Sequence, residues 1–212
     1  MNNRMTLLGG ALAAMFLAPA IANAGLVLDT GTPATGASGE ELNTSQWFAA
    51  EFALGSGQTV TSISAFLTQG LGALGNSYTL DIFSSSGFTG RLSGQTLEYS
   101  TTGTFTTNDA WNTTSTGWTA ATTGDYWLAL EVTSTNQTKG LDLLTTSNNG
   151  TAPALGFAYL GSSTNNEFTL SGAPSVGLQV NAVPLPAAAW LLGTGLLGLG
   201  KFARRRLAAS GV

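Results

Sequence analysis

Through the middle of the chain, apolar side chains recur at every second position, and no run of ten residues there carries helical spacing. Along an extended backbone successive side chains point to opposite faces, so period two marks a strand with one face in a core. In 126–132, Tyr126, Leu128, Leu130 and Val132 share a face while Glu131 points away. In 47–54 the shared face carries Phe48, Ala50, Phe52 and Leu54, and in 78–83 it carries Tyr78, Leu80 and Ile82, with Asp81 outward. Further strands are expected at 60–67, 95–105, 117–121, 155–160, 167–171 and 176–181, separated by turn sequences such as Ser85-Ser86-Gly87, Thr123-Gly124-Asp125 and Asn148-Asn149-Gly150.

Composition supports the same reading. Residues 25–183 contain 29 Thr and 18 Ser, residues that favour strands and turns respectively. Nine or ten strands without a repeat of 20 to 50 residues predict an all-β fold, an antiparallel β-sandwich that is jelly-roll-like. A closed barrel is the alternative.

Both ends depart from this pattern. Arg4 precedes an apolar run from Leu7 to Leu17, then Pro19 and the small triplet Ala22-Asn23-Ala24. This is the order of a secretory signal peptide, whose peptidase needs small side chains at the first and third positions before the cut; Ala22 and Ala24 supply them. Residues 1–24 are therefore expected to be removed by signal peptidase, leaving Gly25 as the mature start. A retained anchor or a short buried helix is the alternative, although 11 apolar residues are too few to span a bilayer.

At the other end, Val183-Pro184-Leu185-Pro186-Ala187 leads into an apolar stretch containing Trp190-Leu191-Leu192-Gly193, followed by Lys201, Arg204, Arg205 and Arg206. Residues 187–203 as a helix would cover roughly 25 Å, slightly less than a hydrocarbon core of about 30 Å. The segment reads as a marginal single transmembrane helix with a basic stop-transfer cluster that stays cytoplasmic. Pro184 and Pro186 hold extended backbone ahead of the helix, suited to a peptidase groove.

These three parts, in this order, resemble the PEP-CTERM sorting domain in its VPLPA-CTERM variant, over about thirty of 212 residues. The resemblance implies an exosortase-type membrane peptidase that recognises the tail, removes it after transient inner-membrane anchoring, and releases or transfers the protein to the cell surface or exterior. It also implies production alongside exopolysaccharide and biofilm matrix. The expected organisation is a signal peptide at 1–24, an extracellular β-sandwich domain at 25–182 and a sorting tail at 183–212. A permanent single-span anchor or a helix buried in the domain is the alternative for the tail.

Charge and residue inventory restrict the chemistry. Residues 25–182 carry two basic and eleven acidic side chains, a net −9 that opposes binding to nucleic acid or an anionic membrane surface. With no His and no Cys, thiol nucleophiles, disulfides, His-based triads and zinc sites of the His or Cys type are excluded. Carboxylates are the remaining acid–base groups; Glu51, Asp81, Glu98 and Glu131 are expected on solvated strand faces, not as a paired site. Asn108, Asp109, Asp125 and Asp142 are loop candidates for a calcium ion but lack ligand spacing, so ordinary turn roles are favoured and no metal or cofactor is implied. Among Trp111, Trp118 and Trp127, Trp111 lies in the most polar surroundings and is the candidate glycan contact. Asn43, Asn112, Asn136 and Asn149 stand in Asn-x-Ser/Thr sequons, which a Ser/Thr-rich chain produces by chance.

The expectation for function is a non-enzymatic, exported surface or matrix protein. A lectin-like module acting on exopolysaccharide is the alternative, and a secreted glycan-active enzyme stands behind both.

Overall fold

The computed structural model describes residues 24–44, 46–69, 74–84, 95–132, 141–160 and 173–184. They are built from strands, with no helix among them: Gly25–Asp29 (β1), Gly39–Leu42 (β2), Trp47–Leu54 (β3), Thr59–Gln69 (β4), Ser77–Ser84 (β5), Leu97–Thr104 (β6), Ala110–Thr119 (β7), Gly124–Glu131 (β8), Leu141–Leu144 (β9), Gly156–Leu160 (β10) and Leu178–Val183 (β11). All pairings are antiparallel, giving an all-β, sandwich-like architecture of two sheets.

One sheet has the order β10-β3-β8-β5-β6. The other is organised on β4, the longest strand. β7 runs along one edge of β4 from Thr59 to Leu67, and the opposite edge is shared end to end by β11, opposite Thr59–Ala65, and β9, opposite Leu67–Gln69. β1 then pairs with β11 and β2 with β9. Where β11 gives way to β9, the Phe66 amide donates to the Gly177 carbonyl at 2.9 Å and the Gly177 amide donates to the Leu144 carbonyl at 2.9 Å. A Cβ on Gly177 would lie 2.8 Å from the Phe66 Cβ and 3.0 Å from the Pro33 ring, so glycine allows this close approach.

The two sheets enclose a common core. Phe48, Ala50, Phe52, Leu80, Leu128 and Leu130 from the five-stranded sheet meet Ile63, Ala65, Leu67, Leu178 and Val180 from the other. Each large aliphatic or aromatic side chain so buried contributes about 1.5–3 kcal/mol. Aromatic rings close one border: Tyr99 of β6 lies 6.5 Å from Trp118 of β7, Trp118 stands edge-on to Tyr126 of β8 at 5.3 Å, and Tyr126 lies 6.3 Å from Phe52.

The strands expected from alternation at 47–54, 60–67, 78–83 and 126–132 are present, with ends shifted by a few residues. The expectation at 117–121 caught only the last part of β7, whose first half, Trp-Asn-Thr-Thr-Ser, has almost no apolar alternation. β1, β2 and β9 were not anticipated. They are four or five residues long and become strands by pairing with distant partners. β8 is not half-buried: it occupies the centre of its sheet, and from Tyr126 to Glu131 both faces are buried. The strand expected at 167–171 and the turn at Ser85-Ser86-Gly87 lie outside the described residues.

Candidate functional site

Because Ile63, Ala65 and Leu67 of β4 point into the core, Ser62, Ser64, Phe66 and Thr68 point to the opposite face of the sheet. The β4–β7 register sets Ser115 opposite Ser62, Thr113 opposite Ser64 and Trp111 opposite Phe66. The hydroxyls of Ser64 and Thr113 are 2.8 Å apart, and the Asn181 amide donates to the Ser62 hydroxyl at 3.2 Å. The face is thus tiled with hydroxyl and amide groups and interrupted by one aromatic pair. Phe66 and Trp111, both half-buried, have centroids 5.3 Å apart and planes at 84°. In an edge-to-face pair, the ring offering its edge keeps both of its own faces clear of its partner.

Beside this pair opens a cleft of about 420 Å³, lined by Pro33, Thr32, Thr35, Phe66, Thr68 and Asp109, among others. One wall is the loop 32–37, and its base is tightly held. Asp29 Oδ2 accepts hydrogen bonds from the Thr151 amide at 2.8 Å and its hydroxyl at 2.9 Å, and Oδ1 accepts from the Gly31 amide and Gln179 Nε2, each at 3.1 Å. Burial raises the Asp29 carboxyl pKa, but these hydrogen bonds together outweigh it and hold the group below its ordinary value. The adjacent Thr30 hydroxyl donates to the Val176 carbonyl and accepts from the Leu178 amide, both at 2.8 Å.

The β6–β7 turn contributes Asp109 to the lining. Asn112 is buried: its Oδ1 accepts from the Thr106 and Thr107 amides at 2.8 and 2.9 Å, while Nδ2 donates to the Thr107 and Ala110 carbonyls. This sequon asparagine is the internal frame of a turn. Asp109 next to it has a left-handed φ of 49°, within the range Asp tolerates, and its carboxylate accepts from the Thr68 hydroxyl and, at 2.9 Å, from Asn108 Nδ2.

Trp111 is not itself part of the cleft's lining and reaches it as the ring partner of Phe66, which does line it; Phe66 was not singled out from sequence. Its signal was readable, because in β4 it stands out of phase with Ile63, Ala65 and Leu67. The other two tryptophans are placed differently. Trp127 is 1% exposed, on the outward face of the five-stranded sheet with Ala49, Ala129 and Ala158, and Trp118 is taken up by Tyr99 and Tyr126.

The carboxylates depart from the expected solvated faces in two of four cases. Asp81 and Glu131 are each 7% exposed, Glu51 is half-buried and Glu98 is exposed. Burial, with a smaller contribution from Asp81, pushes Glu131 up to about 7; burial also raises Asp81, opposed by a hydrogen bond with Ser100. Of the four loop candidates for calcium, Asn108 and Asp109 do occupy a turn, whereas Asp125 lies in β8 and Asp142 in β9, opposite Glu41. Burial and then Glu41 raise the Asp142 pKa. Among the described residues no three acidic side chains are placed to hold a metal ion.

Val183 ends β11, opposite Thr59; Pro184 is exposed just beyond it, and Ala24 is exposed just before β1. Ala22, Leu185, Pro186, Ala187, Lys201, Arg204, Arg205 and Arg206 lie outside the described residues, as does the expected transmembrane helix. Among the described residues no helix is long and apolar enough to cross a membrane. No protein-family model matches the chain, and no curated protein matches it in sequence.

Proposed function

We propose that the chain is an exported surface or extracellular-matrix protein: a jelly-roll-like β-sandwich domain, 25–182, carried between a signal peptide, 1–24, and a VPLPA-type sorting tail, 183–212. Signal peptidase removes the first segment, and an exosortase-type membrane peptidase acts on the second while the precursor is held in the inner membrane. The domain serves in the exopolysaccharide-rich matrix through its surface and not through turnover. The observation that carries this reading is where the sheet begins and ends. β1 starts at Gly25, β11 ends at Val183, and Gly25 pairs with Ala182, so both proposed processing junctions sit at the ends of neighbouring strands. Cleavage after Ala24 and at any bond beyond Val183 would leave every described ladder intact.

Intact-mass measurement of protein recovered from the medium or cell surface tests the reading. The expected species begins at Gly25 and lacks Arg204–Arg206. Recovered protein extending to Val212 would replace sorting with permanent anchoring.

The cleft beside Phe66 and Trp111 favours a second reading, in which the domain is a lectin-like module for exopolysaccharide. Half-buried aromatic rings next to hydroxyl and carboxylate groups match what a sugar ring presents, an apolar C–H face and a rim of hydroxyls.

A further inference from the structure

We infer that the cleft between loop 32–37 and the β6–β7 turn is a binding site for neutral pyranose chains, an assignment that rests on the lectin-like reading and gives it a location and a ligand class. Its volume, about 420 Å³, falls in the range of small-molecule sites, roughly 300–1,000 Å³. Next to it on the same face of the sheet, hydroxyl and amide side chains of β4, β7 and β11 continue beyond the aromatic pair. A chain longer than one sugar could follow these rows without meeting an apolar wall.

Charge selects against the other common ligands of such clefts. Among the described residues that line the cleft none is Lys or Arg, so this lining offers no counter-charge to a phosphate, a sulfate or a uronic acid. The fixed charge at the cleft is the carboxylate of Asp109, an exposed acceptor suited to a sugar hydroxyl and repulsive to an anion. The apolar part is equally specific. Phe66 and buried Pro33 both stand close against Gly177, where a Cβ would lie 2.8 Å from the Phe66 Cβ and 3.0 Å from the Pro33 ring, so the apolar side of the cleft is tightly packed at its foot. Each wall is fixed by its own buried polar residue, Asp29 on one side and Asn112 on the other, so little ordering is left for the ligand to impose.

The test uses the full chain in a zwitterionic detergent without a sugar headgroup, titrated with cellohexaose, maltohexaose and hexagalacturonate by calorimetry. At least one neutral hexasaccharide should bind, and hexagalacturonate should bind at least tenfold more weakly. Trp111→Ala should weaken neutral binding tenfold or more, and Asp109→Asn, a change at an exposed side chain that leaves the core untouched, should weaken it several-fold. If neither neutral probe binds at concentrations up to about 10 mM, the lectin-like reading and the cleft assignment both fall. If neutral binding persists unchanged in both variants, the lectin-like reading stands and the cleft assignment falls. Tighter binding of hexagalacturonate overturns the ligand class.

Discussion

Asp81 and Glu131 lie one diagonal step apart across the β5–β8 pairing, Asp81 opposite Ala129 and Glu131 opposite Thr79, on the same face of the sheet and each only 7% exposed. Two carboxyl groups so placed cannot both ionise cheaply, since burial disfavours each charge and each charge disfavours the other. Ala49, Ala129 and Ala158 form a row of small side chains across the sheet beside them, which leaves the pair without a close counter-charge on the described strands.

Stability should therefore fall as pH rises from about 4.5 to about 7. Glu131 is raised from 4.5 to about 7, so its favourable protonated form contributes fully below the unfolded value and is lost as pH rises through the folded one. A shift of that size corresponds to about 3 kcal/mol. Glu131→Gln should remove most of this slope, measured as melting temperature against pH; an unchanged slope would show that Glu131 does not titrate in this range.

Asp29→Asn should destabilise by about 2–4 kcal/mol, because in either orientation the amide nitrogen faces donors, Thr151 on one side or Gly31 and Gln179 on the other. The sign of the pH effect is opposite to that of Glu131. With its folded pKa below the ordinary value, Asp29 stabilises above the unfolded pKa, and this is lost as pH falls through the folded one. The gap between wild type and variant, read from urea midpoints at constant slope, should narrow in acid.

Gly103→Ala should cost about 1–3 kcal/mol. Gly103 stands opposite Tyr78 in the β5–β6 pairing, and a Cβ there would overlap Tyr78 Cε2 and Cζ. Tyr78 is fully buried, its hydroxyl pushed up to about 12 by burial, so the ring has no free space to swing into. In a double-mutant cycle, Tyr78→Leu should recover part of the loss; strict additivity would place the cost of Gly103→Ala elsewhere.

The basic cluster of the proposed tail makes a separate prediction. If Arg204, Arg205 and Arg206 act through charge, changing all three to Lys should preserve membrane retention and processing of the precursor, and changing all three to Gln should abolish both. Processing lost equally in the Lys variant would mean that the peptidase reads the guanidinium groups themselves. Fractionation with tail-specific blotting separates the two outcomes.

What the sequence determined alone was local: strand character in β3, β4, β5 and β8, where the period of two is written into neighbouring residues, and which residues of each strand share a face. Ile63, Ala65 and Leu67 faced the core as their spacing required, and so did Tyr126, Leu128 and Leu130. The sequence also carried the polar setting of Trp111. It could not show that β8 would be the middle strand of its sheet, or that Glu131 and Trp127 on its second face would be buried instead of solvated. Nor could it show that Phe66 would meet Trp111 from another strand, or that Asp29 would find Thr151, 122 positions away. Alternation is a property of one backbone segment, whereas strand order and the burial of a strand's second face depend on pairings between distant segments. Those pairings, decided only in the folded chain, brought Phe66 and Thr68 of β4 and Asp109 of the β6–β7 turn to one cleft with loop 32–37.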